Sequence, residues 1–277
     1  MKYIGNLRDS EGSHANQQMR KLLDRLGTTG TVLRREPFPR DGDCLIQWGF
    51  KPTTSLLSCV RQNKPFVILD LGYFDPDRYE QFSVSINGFH GFSMVPRTID
   101  KMSDRPYPPL LPPRETEGEQ IVILGQVDGD QSLRGLDFPP WMNRQAIRAH
   151  ETFRKPVVKR MHPKMLNPWE PKPEPLEDTF ELTDRYISYT STAAVQTCIA
   201  GIPTEAHHMS SPAYPVACNA VGDMRLPRDV WAHRLSQRSF YFTSVDELDA
   251  LAVYLDAAMP EATTLAYVGA YDLPGDS

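Results

Sequence analysis

Short apolar runs alternate with helical patterns through the first third of the chain, and this alternation is typical of a parallel α/β sheet. Apolar residues recur at helical spacing from Met19 to Leu26, and Gly27 then ends that helix. A second helix is predicted over residues 53–61, whereas residues 5–14 are predicted to form a polar loop that contains glycine. The predicted strands cover residues 2–4, 31–33, 44–48 and 66–71.

The second half of the chain restarts the pattern, with an apolar strand at residues 120–126 and a helix around residues 142–153. A strand at residues 157–158 precedes a second proline-rich loop over residues 163–175. Residues 244–247 match a capping box, which starts a helix near the end of the chain. The apolar positions of that last helix are Leu251, Val253 and Tyr254.

Prolines crowd the segment between residues 96 and 119, where helix interior and central strand are excluded. This segment is therefore predicted to be an extended connection between domains. The predicted organisation is an N-terminal α/β domain over residues 1–105, a linker over 106–118, a second α/β domain over 119–243, and a C-terminal helix and tail over 244–277 that packs back on the first domain.

Residues 186–205 are the most informative segment of the sequence. They predict a strand, a hydroxyl-rich turn, a helix of small residues, a glycine stop and a second strand. A helix that begins in a run of Ser and Thr presents unpaired backbone N–H groups and the positive end of its dipole, which suits a phosphate. The alternative is that Thr190 or Ser191 only caps an ordinary helix.

Side chains able to hold a ligand follow each predicted strand of the second half. Ligands of open parallel sheets bind at the carboxyl ends of the strands, so these side chains are predicted to meet at one edge. The candidate binding residues are Gln126, Arg160, His162, Ser188, Thr190, Ser191, Thr192, Glu205 and Ser211.

Three segments, residues 156–163, 186–205 and 205–215, resemble the nucleotide-sugar-binding half of GT-B glycosyltransferases. In that family an Arg-x-His-Pro turn and a Ser/Thr-rich helix start face the donor. In particular, the chain resembles glycosyltransferase-like proteins of bacteriophage genomes. The resemblance implies two Rossmann-like α/β domains whose parallel sheets face a central cleft. It also implies an enzyme that transfers a hexosyl or pentosyl group from a nucleotide sugar to a hydroxyl acceptor.

The resemblance also implies a task for each candidate on the donor side. Arg160 would neutralise the diphosphate, and the hydroxyls of Ser191 and Thr192 would hold the remaining phosphate oxygens. His162 would contact a phosphate or the base, and Glu205 the ribose hydroxyls. A UDP-sugar is the expected donor, and no cofactor is required. Ordinary alternatives remain, such as a hydrogen-bonded turn for the His-Pro pair and a carboxylate partner for the arginine.

No metal is expected at the site. Asp75 and Asp77, like Asp128 and Asp130, match the Asp-x-Asp element of another glycosyltransferase fold, but their middle residues Pro and Gly are typical of plain turns. His207 and His208 are adjacent. On a strand, adjacent side chains point to opposite faces, so these two histidines do not chelate one ion.

The base that deprotonates the acceptor is implied to lie in the first half of the chain. Asp70 ends a predicted strand and is therefore at the functional edge of the sheet, whereas His90 has glycines close by that would let a ligand approach. Asp75 and His14 are further candidates, and the choice among these residues stays open. Acceptor-binding candidates are His14, Arg34 and Arg35.

Charge is distributed unevenly along the chain. Residues 1–115 contain 16 Lys and Arg against 13 Asp and Glu, whereas the remainder contains 14 against 22. A mildly basic first half tolerates an anionic acceptor, and the phage resemblance implies double-stranded DNA that carries hydroxymethylated bases. Ordinary solvated surface charge is the alternative explanation.

Several protein classes are excluded by missing signals. The chain has no apolar run of the roughly 18 residues that span a bilayer, and its start lacks a signal peptide, so a cytoplasmic protein is expected (host cytoplasm if phage-encoded). Gly-x-Ser-x-Gly, Gly-x-Gly-x-x-Gly and the phosphate-binding loop of kinases are absent from the sequence. Two alternatives to a transferase remain: a non-catalytic module that binds nucleotide sugar or nucleic acid, and a sugar-nucleotide epimerase on the same fold.

Overall fold

The computed structural model describes residues 1–8, 13–27, 29–75, 80–88, 105–133, 135–167, 169, 171–222 and 225–264. The chain divides into two compact units. The first consists of Met1–Arg105 with Ser236–Ser277, and the second of Pro106–Leu235. The chain therefore leaves the first unit once and returns to it near the end.

Helices and strands alternate along both units. In chain order they are β1 (Tyr3–Leu7), α1 (His14–Leu26), β2 (Thr29–Leu33), β3 (Cys44–Trp48), α2 (Thr54–Arg61), β4 (Phe66–Leu71), β5 (Gln81–Ile86), β6 (Gln120–Leu124), α3 (Phe138–Phe153), β7 (Val157–Arg160), β8 (Thr183–Ser188), α4 (Ala193–Ile199), β9 (Thr204–Ala206), α5 (Arg228–Ser236), β10 (Ser239–Tyr241) and α6 (Val245–Thr264). Strands β3 and β4 and helices α1 and α2 confirm the sequence pattern to within a residue or two.

The first strand extends to Leu7, whereas the sequence predicts that it ends at residue 4 and that a polar loop begins at residue 5. Gly5, Asn6 and Leu7 belong to β1, where they pair with β2 and β3. The glycine is needed for packing, since a Cβ at Gly5 would lie 2.4 Å from Leu23 Cδ1 of α1. A residue that signals a loop in the sequence thus lets a helix approach the sheet closely.

The sheet of the first unit has the strand order β10-β5-β4-β3-β1-β2. Strands β2, β1, β3 and β4 are parallel, as the sequence predicts, whereas β5 pairs antiparallel with both β4 and β10 and so runs against the other strands. The mixed edge is a correction to the parallel sheet expected there. Strand β10 comes from the segment that returns after the second unit, so the sheet is completed by residues far apart in sequence.

Both faces of this sheet are covered. Helices α1 and α6 pack on one face, around buried residues that include Met19, Leu22, Leu251 and Tyr254. Helix α2 covers the other face with Leu56 and Cys59. Val253, predicted to be an apolar contact of α6, is 61% exposed, because it lies on the outer face of that helix.

The capping box at the start of α6 forms only in part. Ser244 Oγ accepts a hydrogen bond from the backbone N–H of Glu247 at 3.4 Å. The Glu247 carboxylate does not return to Ser244 but accepts hydrogen bonds from Tyr241 N, at 3.1 Å, and from Arg105. The glutamate therefore joins the helix start to β10 rather than closing a local cap.

The second unit contains a sheet in the order β7-β6-β8-β9, and every pairing in it is parallel. Helix α3 covers one face with Phe138, Trp141 and Met142 against Ile121 and Ile187. It begins four residues before the sequence prediction, because its two prolines occupy the first turn, where a missing N–H costs no hydrogen bond. Helix α4 contacts β8 and β9.

The proline-rich segment after residue 105 forms neither helix nor strand, yet it is fixed to the second unit. Arg114 donates to the carbonyls of Phe180 and Thr183 at 2.5 and 2.8 Å, and Arg228 donates to the carbonyl of Leu111 at 2.8 Å. Gly201 adopts a left-handed conformation with φ of 75°, and a Cβ there would lie 2.1 Å from the Pro112 carbonyl. The segment is therefore packed chain rather than a loose tether.

Within these described ranges, no helix combines the length and the apolar character that crossing a bilayer requires.

We predict that Gly201→Ala destabilises the protein far more than Gly129→Ala. Both glycines have positive φ, 75° and 72°, but a Cβ at Gly129 meets no atom within 4 Å. The Gly129 variant therefore measures only the backbone strain, about 1 kcal/mol, whereas Gly201→Ala adds overpacking of about 1–3 kcal/mol. Chemical denaturation of the two variants measures the difference. Equal losses would show that the proline-rich segment moves aside freely.

Candidate functional site

Because the strands of the second unit are parallel, the loops after them all leave from one edge of the sheet. The loops after β6 and β7 are in direct contact. Gly125 N donates to the Arg160 carbonyl at 2.7 Å, and a Cβ at Gly125 would lie 2.6 Å from that oxygen and 2.8 Å from His162 N. The absence of a side chain at Gly125 thus brings the Arg-x-His-Pro turn against the first loop.

Gln126 and Thr190 join the loops after β6 and β8. The Gln126 side chain donates from Nε2 to Thr190 Oγ1 at 2.8 Å and accepts at Oε1 from Thr190 N at 2.9 Å. Both residues are buried, 7% and 2% exposed. The structure therefore brings these two candidates together, but their polar groups bond mainly to each other and form a bridge between the loops.

The hydroxyl-rich turn before α4 also bonds to itself. Ser188 Oγ accepts from Ser191 N at 3.1 Å, and Ser191 Oγ accepts from Ala193 N at 3.3 Å. Ser191 thus bonds to the first backbone N–H of α4, as the capping alternative expects. Ser191 and Thr192 are only half-buried, and Thr192 makes no side-chain capping bond, so the exposed rim of the turn consists of these two residues.

Arg160 and His162 stand at the end of β7, both half-buried. The Arg160 guanidinium donates to the carbonyl of Glu174, and His162 Nδ1 accepts from Lys164 N at 3.1 Å. Burial, followed by the charge of Lys164, lowers the pKa of His162, and Asp130 only partly opposes this. The imidazole is therefore neutral at pH 7 and offers its other nitrogen as a donor.

Glu205 is the centre of an ionic cluster at the end of β9. Its carboxylate is 7% exposed and contacts Arg148 of α3, Arg185 of β8 at 3.4 Å, and His207 at 2.9 Å. Burial alone would raise the pKa of Glu205, but hydrogen bonds from His207 and Arg148 and their charges outweigh it and lower the pKa. Both carboxylate oxygens are thus engaged within the unit, on the face that α3 covers.

Aromatic rings at the same edge were missed by the sequence analysis. Tyr189 directly follows β8, and its ring lies 5.2 Å from that of His208, which follows β9. Trp141 of α3 makes edge contacts with Tyr189 at 5.4 Å and with His207 at 5.7 Å. The rule that pointed to the polar candidates, position after a strand, also applies to Tyr189 and His208. That rule does not find Trp141, because this residue belongs to helix α3 and does not follow a strand.

Ser211 lies deeper than expected. It is fully buried, donates from its backbone N to the His208 carbonyl at 3.0 Å, and accepts at Oγ from Ala213 N at 3.3 Å. It therefore shapes the loop that carries His208.

The candidates of the first unit lie at the carboxyl ends of its strands. Asp70, the penultimate residue of β4, is half-buried, and its Oδ1 accepts from Leu71 N at 2.8 Å. Arg34 follows β2, and its guanidinium donates to the Trp48 carbonyl at the end of β3, whereas Arg35 is exposed. His90 and Asp77 and the side chain of His14 lie outside the described residues.

Metal-ligating side chains are dispersed. In the part of the chain that the structure describes, no three His, Cys, Asp or Glu residues gather into a group able to hold an ion.

Comparison with known proteins identifies a fold and not a family. No protein-family model matches the chain, and no curated protein sequence matches it. Two solved structures from Thermosulfurimonas dismutans are similar: KpsC β-Kdo 2,4 transferase and KpsC β-Kdo 2,7 transferase, each with a TM-score of 0.53 and 14% identity. The first match covers 86% of this chain and 91% of that one, and the second 94% and 99%. The chain therefore has a glycosyltransferase-like α/β fold.

We predict that Glu205→Gln destabilises the protein in a pH-dependent manner. A carboxyl whose folded pKa is lowered stabilises the fold above its unfolded pKa and loses that contribution as the pH falls through the folded value. The variant should therefore be less stable than wild type by about 1–3 kcal/mol at pH 5, and this difference should shrink once the pH falls below about 4.3, the ordinary pKa of a glutamate. Thermal unfolding at one pH above and one pH below that value measures it.

Glu151→Gln is the matched control, because Glu151 is exposed on α3. It should change stability by less than about 0.5 kcal/mol at either pH. A Glu205→Gln deficit that persists unchanged at low pH would contradict the ionic role given to this carboxylate.

Proposed function

We propose that this protein is a glycosyltransferase that moves a sugar from a nucleotide sugar to a hydroxyl acceptor. The observation that carries the proposal is the carboxyl edge of the second unit. An arginine, a neutral histidine, a hydroxyl-bearing turn and a pair of rings meet there, on a fold similar to that of two proteins named as transferases of Kdo. The GT-B arrangement that the sequence resemblance implies is part of the proposal.

In this proposal the second unit binds the donor. Arg160 has a delocalised charge with several N–H donors, and one of them is used on a backbone carbonyl, which leaves others for the diphosphate. Ser191 and Thr192 at the exposed rim of the turn add hydroxyl donors. Negative charge on the leaving diphosphate grows in the transition state, so these contacts speed its departure as well as its binding.

Tyr189 and His208 supply the surface for the nucleoside. Their rings are half-buried and tilted at 42° to one another, with centroids 5.2 Å apart. Every base has an apolar face that stacks on such rings without regard to sequence. A UDP-sugar is the first donor to test. The ionic cluster around Glu205, which the sequence resemblance assigns to the ribose, instead fixes the loop after β9 beside these rings.

The first unit supplies the acceptor side. The acceptor oxygen forms a bond to the anomeric carbon while the bond from that carbon to the phosphate oxygen breaks, and the proton of the acceptor passes to a carboxylate. Asp70 suits this role because it is the penultimate residue of β4, at the carboxyl edge of the sheet. Hydroxymethylated DNA is the narrower acceptor proposal, supported by the sequence resemblance and by the basic residues Arg34 and Arg35 that follow β2.

We predict that one nucleotide family stabilises the protein through Arg160. At a hundredfold excess over its dissociation constant, a ligand of the native state adds about 2.7 kcal/mol, a shift readily seen in thermal unfolding. A panel of UDP, GDP, CMP, ADP, dTDP and their sugars should give such a shift with wild type and lose most of it with Arg160→Ala.

Lys159→Ala is the matched control, because Lys159 is the preceding cation of β7 and bonds to Asn143 of α3 on the opposite face. It should keep the shift. If no nucleotide stabilises wild type, the donor site is wrong. If a nucleotide sugar binds and is epimerised or left unchanged, the protein is an epimerase or a binding module.

We predict that Asp70→Asn removes transfer and spares donor binding. An amide cannot accept the acceptor proton, and loss of a general base costs about 10²–10⁴-fold in rate. Release of nucleotide in the presence of acceptor measures the rate, and the nucleotide-induced thermal shift measures binding. Asp75→Asn, a half-buried carboxylate just beyond β4, serves as the comparison and should keep most of the rate. The opposite ranking would move the base to Asp75.

A further inference from the structure

A second polar site lies at the carboxyl edge of the first unit. Strands β1 and β3 are neighbours there, with β2 beyond β1 and β4 beyond β3. The chain thus turns to opposite sides after these two strands, and such switch points are where open α/β sheets bind ligands. Asn6 of β1 and Gln47 of β3 are register partners at this position, 2% and 0% exposed.

Backbone carbonyls fix the orientation of the Gln47 amide. Gln47 Nε2 donates to the carbonyls of Gly49 and Lys51 at 2.8 and 2.9 Å, so its Oε1 must face the other way. That oxygen accepts from Thr53 Oγ1 at 2.7 Å and from Asn6 Nδ2 at 2.5 Å. An Asn6 amide turned the opposite way would place two oxygens against each other.

Among the described residues, Asn6 Oδ1 is consequently left without a donor. It is a buried acceptor, and none of the described residues donates a hydrogen bond to it. Leaving a buried polar atom unsatisfied destabilises a fold, and native proteins do so rarely. The amide nitrogen of Asn6 is held by two neighbours, Gln47 and Thr53, so the side chain cannot turn away to bring its oxygen to another partner.

The first turn of α2 contacts the same side chain, since Asn6 Nδ2 donates to Thr53 Oγ1 at 3.0 Å. Thr53 caps α2 through a bond from Leu56 N to its hydroxyl at 3.2 Å, and Ser55 Oγ lies 3.0 Å from the same hydroxyl. The amides at the start of a helix have no partner within the helix. A group that donates to Asn6 and accepts from this turn satisfies both. A hydroxyl does so, whereas an ammonium group cannot accept.

We propose that Asn6, Gln47, Thr53 and Ser55 form a site for a hydroxyl of a sugar. Asp70 lies on the same face of the sheet, because Gln47 pairs with Ile68 and Asp70 follows two residues later. Gln47 and Asp70 are therefore separated by about 7 Å along the strand direction and about 5 Å between the neighbouring strands. The site would hold one hydroxyl of the acceptor while the neighbouring hydroxyl faces Asp70. The acceptor role rests on the proposed function, whereas sugar binding at Asn6 does not.

Saturation-transfer NMR on the full chain tests the site directly. The probes are methyl glycosides of glucose, galactose, mannose, N-acetylglucosamine and ribose. At least one should receive saturation from wild type, and its dissociation constant should rise at least about tenfold in Asn6→Leu. A deoxy analogue of the binding sugar that lacks the bound hydroxyl should weaken similarly. If no glycoside binds wild type, or if binding survives in Asn6→Leu, the proposal is wrong.

Melting temperature separates a ligand group from a structural one. Asn6→Leu should melt at or above the wild-type temperature, because it removes an unsatisfied acceptor. Gln81→Leu is the matched control, since Gln81 is an equally buried strand amide that accepts from Phe74 and Asp75 and donates to Tyr241. It should melt several degrees lower. If Asn6→Leu also melts lower, Asn6→Ala repeats both measurements without the larger side chain, and a similar loss in Asn6→Ala would overturn the proposal.

The two proposals fail independently. Nucleotide-induced stabilisation without glycoside binding would leave the transferase in place and remove this site. Glycoside binding lost in Asn6→Leu, without any nucleotide effect, would support the site and remove the transferase.

Discussion

The bridge between Gln126 and Thr190 is the contact on which the candidate donor site depends. Two hydrogen bonds of 2.8 and 2.9 Å join the loops after β6 and β8, and both are shielded from water. Gly125, next to the bridge, admits the loop after β7 so closely that no side chain fits. Three loops are therefore fixed together, and the candidate residues Arg160, Ser191 and Thr192 have defined positions. Prearranged groups of this kind stabilise a transition state without paying for reorganisation.

Two buried amides show how one chemical group serves opposite purposes. Gln126 uses both ends of its amide on the protein and thereby builds the site. Asn6 donates from its nitrogen, whereas none of the described residues donates to its oxygen, which lies at the switch point of the other sheet. Satisfied polar groups specify architecture, whereas an oriented and unsatisfied one is a mark of recognition.

Much of the fold follows from local patterns. The strand at residues 66–71 and the helix capped by Thr53 match the sequence prediction because their burial is visible as apolar runs and a helix signal. Strand β10 and the antiparallel edge escaped it, since that pairing depends on a segment more than 150 residues away. Gly5 was wrongly assigned to a loop. A glycine is required at this strand position because Leu23 packs too closely for a Cβ, and this contact exists only in the tertiary structure.

The candidate site was predictable in place but not in detail. Parallel strands with polar residues after them locate the edge, and Tyr189 and His208 could have been added by the same rule. That Gln126 and Thr190 bond to each other, or that Arg148 of α3 engages Glu205, depends on side-chain geometry across elements that are distant in sequence. The sequence therefore predicts at which edge of the sheet a side chain lies, whereas its hydrogen-bond partners depend on tertiary packing.

Mass spectrometry of an acceptor incubated with the protein and a nucleotide sugar tests the proposed glycosyl transfer. We predict that the acceptor gains the mass of one sugar residue while an equal amount of free nucleotide appears, and that neither product forms without the protein. Nucleotide sugars that bind and return unchanged, or that change only in configuration, would contradict a glycosyl transfer reaction.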